Sequence, residues 1–276
     1  MIAALIIVFR EVFEAGLIVG IVLAVTRTVP RRNQWIAGGV LTGVLGACVV
    51  AVFAGALSNL FAGMGQELFN AFILIVAVVM LTWHNVWMAR HGSELAGELR
   101  AAGQAVVDGS KSLLALAVVV GVAVLREGSE VVLFLYGVLA GGDTAWGVAL
   151  GGFAGLALGA AVCLLTYWGL VKIPTRTLFA TTTVLIALLA AGMAAQAAAF
   201  LEKANWLTMM DNVVWDSGWL LSDGSLLGKA LHTLIGYTDQ PTAMQLVIYL
   251  AILAVTFVLM RFYGGPVKTA TPAAAE

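Results

Sequence analysis

The chain has 276 residues, of which 62% are hydrophobic and 11% charged, and its 14 Lys+Arg against 15 Asp+Glu leave a net charge of -1. Soluble domains carry roughly 45 to 50% apolar and about 25% charged residues, so too few polar side chains remain here to coat a water-soluble globule. The balanced charge supplies no field for nucleic acid, and the composition makes the bilayer the solvent.

A transmembrane helix needs about 20 mostly apolar residues. Seven stretches meet that length: 2–25, 35–57, 67–88, 112–139, 145–170, 177–201 and 242–262. Strand alternation is absent from them, and a helix satisfies its own backbone inside lipid. The expected fold is therefore all-α, a polytopic membrane protein of seven transmembrane helices forming one domain over 1–264. The first stretch has the length of a secretory signal but lacks a basic start and carries Arg10, Glu11 and Glu14 within its apolar run, so it reads as mature protein. Residues 89–111 read as the main cytoplasmic loop, 202–241 as an outer loop and 265–276 as a disordered cytoplasmic tail, since the tail has little to bury. The outer loop carries Trp206, Trp215 and Trp219, indole rings suited to the headgroup region. Cys48 and Cys163 sit singly in apolar runs and read as small core residues.

Orientation follows from Lys and Arg in alternate loops. One side collects ten, from Arg27, Arg31 and Arg32 through Arg261 and Lys268, and the other only Lys203 and Lys229. The expected topology places the N-terminus outside and the C-terminus in the cytoplasm. The outer side then carries Asp143, Glu202, Asp211, Asp216, Asp223 and Asp239, a face that attracts cations, with Asp211 and Asp216 as candidate ion-gathering residues.

The chain also repeats itself. Arg10-Glu11-Val12-Phe13-Glu14 in the first span and Arg126-Glu127-Gly128-Ser129-Glu130 in the fourth share the pattern R-E-x-x-E, 116 residues apart. The copies lie three spans apart, an odd number, so they run in opposite directions. This predicts an inverted 3+3 repeat, with repeat one over about 1–88, repeat two over about 112–201, and the seventh helix outside it. Inverted repeats mark transporters whose substrate site lies near the midplane. Glycines four residues apart, such as Gly39 and Gly43 or Gly151, Gly155 and Gly159, predict close helix packing.

At about 100° per residue, the Arg and both Glu of each motif share one helix face. A charge at a helix centre costs about 2.5 to 3.5 kcal/mol on the insertion scale, so six of them sum to roughly 15 to 21 kcal/mol before pairing. Two arginines neutralise two of four carboxylates, and the other two need protons or a metal. A divalent cation brings the cluster to zero. Carboxylate oxygens suit hard cations, leaving iron, manganese, magnesium or calcium. Glu11, Glu14, Glu127 and Glu130 are the candidate ligands, Arg10 and Arg126 the charge-balancing partners, and Glu67, opening the third span, a candidate fifth ligand. His84, His91 and His232 occur singly near span ends and read as headgroup-facing or capping residues. An intramembrane protease would need G-x-G-D, and Ala140-Gly141-Gly142-Asp143 lacks its first glycine. On carboxylate chemistry alone, a proton-coupled transporter of manganese or lead stands as the alternative to an iron carrier.

The two motifs resemble the R-E-G-L-E repeats of the oxidase-dependent iron transporter family, which includes fungal high-affinity iron permeases and bacterial EfeU-type permeases. Glu67-Leu68-Phe69, Leu81-Thr82-Trp83, Tyr167-Trp168-Gly169, Ala190-Ala191-Gly192 and Gly236-Tyr237 resemble that family too. The chain departs from the pattern at Val12, Phe13 and Ser129. The resemblance implies high-affinity iron uptake across the cytoplasmic (inner) membrane, with Glu11, Glu14, Glu127 and Glu130 as ligands. It implies transported iron, Fe2+ or Fe3+, with no permanent cofactor and no enzymatic activity. It further implies partners: a periplasmic iron-binding protein and a haem peroxidase in bacteria, or a multicopper oxidase in fungi.

Overall fold

The computed structural model describes residues 1–60, 66–169 and 175–263. Eight helices occur among them: α1 (Ile2–Val25), α2 (Arg32–Leu60), α3 (Gln66–Val107), α4 (Leu113–Ala140), α5 (Ala145–Tyr167), α6 (Thr175–Lys203), α7 (Leu226–Ile235) and α8 (Ala243–Tyr263). The described residues contain no named strand, only an isolated bridge between Val213 and Thr242. The expected tail 265–276 and the inner-side Lys172 and Lys268 lie outside the described residues.

Five helices are long and apolar enough to cross a membrane: α5, α8 and the stretches Arg32–Ala56, Gln66–His91 and Ala180–Lys203. The chain is an integral membrane protein. α1 and α4 have the length, at 24 and 28 residues, but each carries three charged residues, those of its R-E-x-x-E motif, in mid-helix.

Two boundaries differ from the sequence reading, for the same reason. Hydropathy marks where a segment leaves lipid, whereas helix ends follow backbone propensity. Residues 89–107, expected as loop, continue α3 to a length of 42 residues, because Ala, Glu, Leu and Arg keep the backbone helical after the apolar run stops. The segment between α6 and α8, expected as an outer loop, contains the ten-residue α7, opened by Ser225, whose side chain accepts a hydrogen bond from the Gly228 N–H. It closes at Gly236, whose φ of 69° is a left-handed cap suited to glycine. A Cβ on Gly192 of α6 would lie 2.6 Å from Gly236 Cα, so the Ala190-Ala191-Gly192 and Gly236-Tyr237 stretches meet through bare backbone.

The helices pack as reciprocal pairs: α2 along α4, α5 along α1, and α3 along α6, with α8 against α6. Glycine sets both outer crossings. A Cβ at Gly155 would meet the Leu5 carbonyl oxygen at 2.5 Å and Val8 Cβ at 3.0 Å. A Cβ at Gly43 would meet the Gly121 carbonyl oxygen and Val124 Cβ, both at 2.7 Å. Gly121 and Val124 stand 116 residues after Leu5 and Val8, the same offset that separates the two motifs. One turn away the correspondence repeats, with Gly151 over Met1 and Gly39 over Ala117. α1 and α4 thus occupy equivalent grooves at the centre of the bundle. One apolar cluster, built on Ile7, Leu74, Leu81, Phe134 and Ile186, packs α1, α3, α4 and α6 on one side of the motifs. A second, with Ile18, Val22, Leu116 and Val120, packs on the other.

Candidate metal centre

The charged residues of α1 and α4 face each other between these clusters. Arg10, Glu11 and Glu14 are buried, as is Glu127, while the Glu130 side chain retains 13% exposure. Arg10 Nε lies 2.9 Å from Glu14 Oε1 and its Nη1 lies 3.5 Å from Glu11 Oε1. On the other helix, Arg126 Nε lies 3.2 Å from Glu130 Oε1 and 3.9 Å from Glu127 Oε1. Each arginine therefore neutralises within its own motif, and the cross-helix carboxylates are left facing one another. Glu11 Oε2 and Glu127 Oε2 are buried with no hydrogen-bond partner among the described residues. Buried acceptors of that kind are expensive unless a proton or a cation joins them.

α3 brings in a side chain that the sequence reading assigned elsewhere. His84 is buried, with Nδ1 against Glu130 Oε2 and Nε2 3.5 Å from Glu14 Oε2. One ligand atom each from Glu11, His84, Glu127 and Glu130 falls within 4.8 Å of the others. Three of the four motif glutamates enter this set; Glu14 stands behind it, held by Arg10 and facing His84. His84 looks like a span-end residue only when α3 is assumed to stop at 88. In the 42-residue helix it lies well inside, at the level of the motifs. A lone histidine in an apolar run was the available signal, and its partners lie on other helices.

Glu67, the expected fifth ligand, does not join them. It is exposed in the first turn of α3, 17 residues before His84, or about 25 Å of helix. Asp211 and Asp216 lie exposed in the segment between α6 and α7. Asp216 accepts hydrogen bonds from the Gly218 N–H at 2.9 Å and from Gln240 Nε2 at 2.9 Å, so its charge organises that segment. His91 and His232 are engaged away from the centre. His91 contacts the Trp87 carbonyl, and His232 lies between the Tyr237 carbonyl at 2.6 Å and Gln196 Nε2 at 2.5 Å. Of the outer tryptophans, Trp206 and Trp219 are strongly exposed and Trp215 less so.

The donor set is mixed: three carboxylates and one imidazole. Carboxylates alone suit magnesium, calcium and manganese, whereas imidazole suits iron and its later neighbours. An imidazole nitrogen beside the carboxylate oxygens extends the cations such a cluster suits to iron and its later neighbours.

The model of the iron permease FTR1 family matches residues 1–265. A ferrous iron permease EfeU of Yersinia pestis is 33% identical over 274 residues, covering 98% of this chain and 95% of its own. The protein of the same name from Escherichia coli O6:H1 is 33% identical over 262 residues, covering 92% and 94%, and that of Shigella sonnei 31% over 248 residues, covering 88% and 89%. No solved structure matches the chain. Matched along nearly all of its length by a permease family rather than an enzyme family, the chain belongs to the iron permease FTR1 family.

Proposed function

We propose that the protein imports ferrous iron across the cytoplasmic membrane through the carboxylates of its two R-E-x-x-E motifs, with His84 as the nitrogen ligand. The observation that carries the reading is the convergence of Glu11, Glu127, Glu130 and His84 within 4.8 Å. A ligating histidine commonly gives its other ring N–H to a carboxylate, and Glu14, 3.5 Å from His84 Nε2, is placed for that role while Nδ1 faces the ion. With neutral His84, four carboxylates and two arginines sum to -2, which Fe2+ cancels. The relatives whose printed name is ferrous iron permease support the same oxidation state.

The inverted repeat is supported by the helix crossings: Gly43 over Gly121 and Val124 mirrors Gly155 over Leu5 and Val8 at the motif offset. Transport then proceeds by exchange of conformation between the halves around a fixed site. The excess of Lys and Arg on one side places the N-terminus and the acidic Asp211 and Asp216 outside, where they gather cations.

The test is iron uptake by proteoliposomes carrying Glu11→Gln, Glu14→Gln, Glu127→Gln or Glu130→Gln. Each ligand change lowers uptake at least about tenfold, since even groups that only orient a ligand are worth that much. Wild-type uptake by all four variants overturns the proposal.

A further inference from the structure

The two motifs share a pattern but not an environment. The Arg10 side chain is 1% exposed and clamped between its two glutamates, whereas Arg126 is 35% exposed and rests on the Trp87 ring, 4.2 Å from its centroid. Arg126 borders two cavities. One, of about 330 Å3, lies against His84, Trp87 and Glu130. The other, of about 420 Å3, runs from Arg126 and Glu127 past Val119 and Ala102 to Glu98.

Glu98 is exposed and stands 14 residues beyond His84 on α3, about 21 Å along the axis. Half of the hydrocarbon core is about 15 Å, so this cavity reaches from the buried ligands to the water beyond the inner end of α3. An arginine in mid-membrane faces the bundle interior or a water-filled space rather than lipid, and Arg126 has such a space beside it. On its way this cavity passes Ile18, Leu99, Val119 and Ala123 of the apolar cluster on that side of the motifs, and the other cluster packs on the opposite side. Ile7, Leu81, Phe134 and Ile186 are fully buried in one apolar cluster. An outer cavity of about 440 Å3, bordered by Asp143 and His232, ends on Val138, Leu189 and Met193 of that same cluster.

We propose that the structure is the inward-open state of the transport cycle. The cavity from Glu127 to Glu98 is the ion's way out, Arg126 parked on Trp87 is the open inner gate, and the clamped Arg10 is the closed outer gate. This rests on the permease reading above, with its inverted halves and its orientation. The offset of 116 residues maps Arg126 onto Arg10, and maps Ala123, which lines the way out, onto Ile7, which is sealed in the apolar plug. When the halves exchange conformations, Arg126 leaves the Trp87 ring and becomes as buried between Glu127 and Glu130 as Arg10 is here between Glu11 and Glu14, Arg10 becomes exposed, and the plug around Ile7 opens to the outer cavity.

The test is labelling by a membrane-impermeant thiol reagent of full-length protein in vesicles, with Cys48 and Cys163 replaced by alanine. Ala123→Cys and, nearer the mouth, Ala102→Cys react from the inner side; Ile7→Cys stays unreactive from the outer side. Adding Trp87→Leu removes the ring that holds the gate open, lowering the Ala123→Cys rate about two- to fivefold and raising that of Ile7→Cys from outside. Trp87→Phe, which retains a ring, restores the original rates. Unreactive Ala123→Cys and Ala102→Cys, or rates indifferent to Trp87→Leu, overturn the proposal. The labelling needs no iron, so absence of iron uptake by the wild-type chain counts against the permease reading alone.

Discussion

Replacing His84 by Gln isolates the ligand that distinguishes this centre from a purely acidic one. His84 supplies one of the four ligand atoms lying within 4.8 Å of one another, and it is buried, so no solvent can take its place. Loss of a group that merely orients a metal ligand weakens binding 10- to 100-fold. Loss of a ligand therefore costs at least about tenfold, or about 1.4 kcal/mol. The change also converts the donor set to oxygen alone. Nitrogen donors favour iron over manganese and magnesium, so the ratio of ferrous to manganous affinity falls together with the ferrous affinity itself. Anaerobic titration of detergent-purified protein measures both constants, and uptake of the two ions by proteoliposomes gives the transport ratio. A His84→Gln protein with wild-type ferrous affinity and an unchanged iron-to-manganese ratio would refute the ligand assignment, leaving His84 a packing residue.

The two arginines differ in what their removal exposes. Arg10→Met strands Glu11 and Glu14 in a fully buried site, and breaking a buried pair costs about 3 to 5 kcal/mol; Arg126→Met, at a side chain 35% exposed, costs clearly less. Thermal unfolding in detergent orders the two, and equal losses would contradict the asymmetry. Gly43→Val and Gly155→Val drive a side chain into the Gly121 and Leu5 carbonyls and destabilise the helix crossings to a similar degree. Gly20→Ala, with nothing within 4 Å of the new Cβ, is neutral or gains up to about 1 kcal/mol from helix propensity; the same unfolding assay reads all three. Glu67→Gln keeps ferrous uptake within about twofold of wild type, because Glu67 sits about 25 Å of helix from His84; a loss matching that of Glu127→Gln would return it to the ligand set.

Much of this arrangement is legible in the residues before any coordinates. Apolar runs locate the transmembrane helices, since lipid imposes a length and a composition that hydropathy reads directly. The first run, 2–25, coincides with α1. The paired R-E-x-x-E motifs identify the charged centre, because six mid-span charges are too costly to be incidental. Residues 89–107 and α7 escape that reading, since neither is apolar enough to register as a span, and their helicity depends on propensity and capping. His84 escapes for a different reason. Its partners, Glu14 and Glu130, come from α1 and α4, and no spacing along one chain reports which face of α3 those helices cover. Glu67 is the nearest spare carboxylate by topology alone, but helix rise puts it about 25 Å of helix from His84, more than a bilayer leaflet.

The central claim is that carboxylates of α1 and α4, with His84 of α3, replace the water around ferrous iron. X-ray absorption on the iron-loaded protein tests it most directly. The expected result is a first shell of oxygen and nitrogen only, at about 2.0 to 2.2 Å, with an imidazole scattering signature that disappears in His84→Gln. A fully hydrated ion, or an imidazole signature that survives His84→Gln, would contradict it.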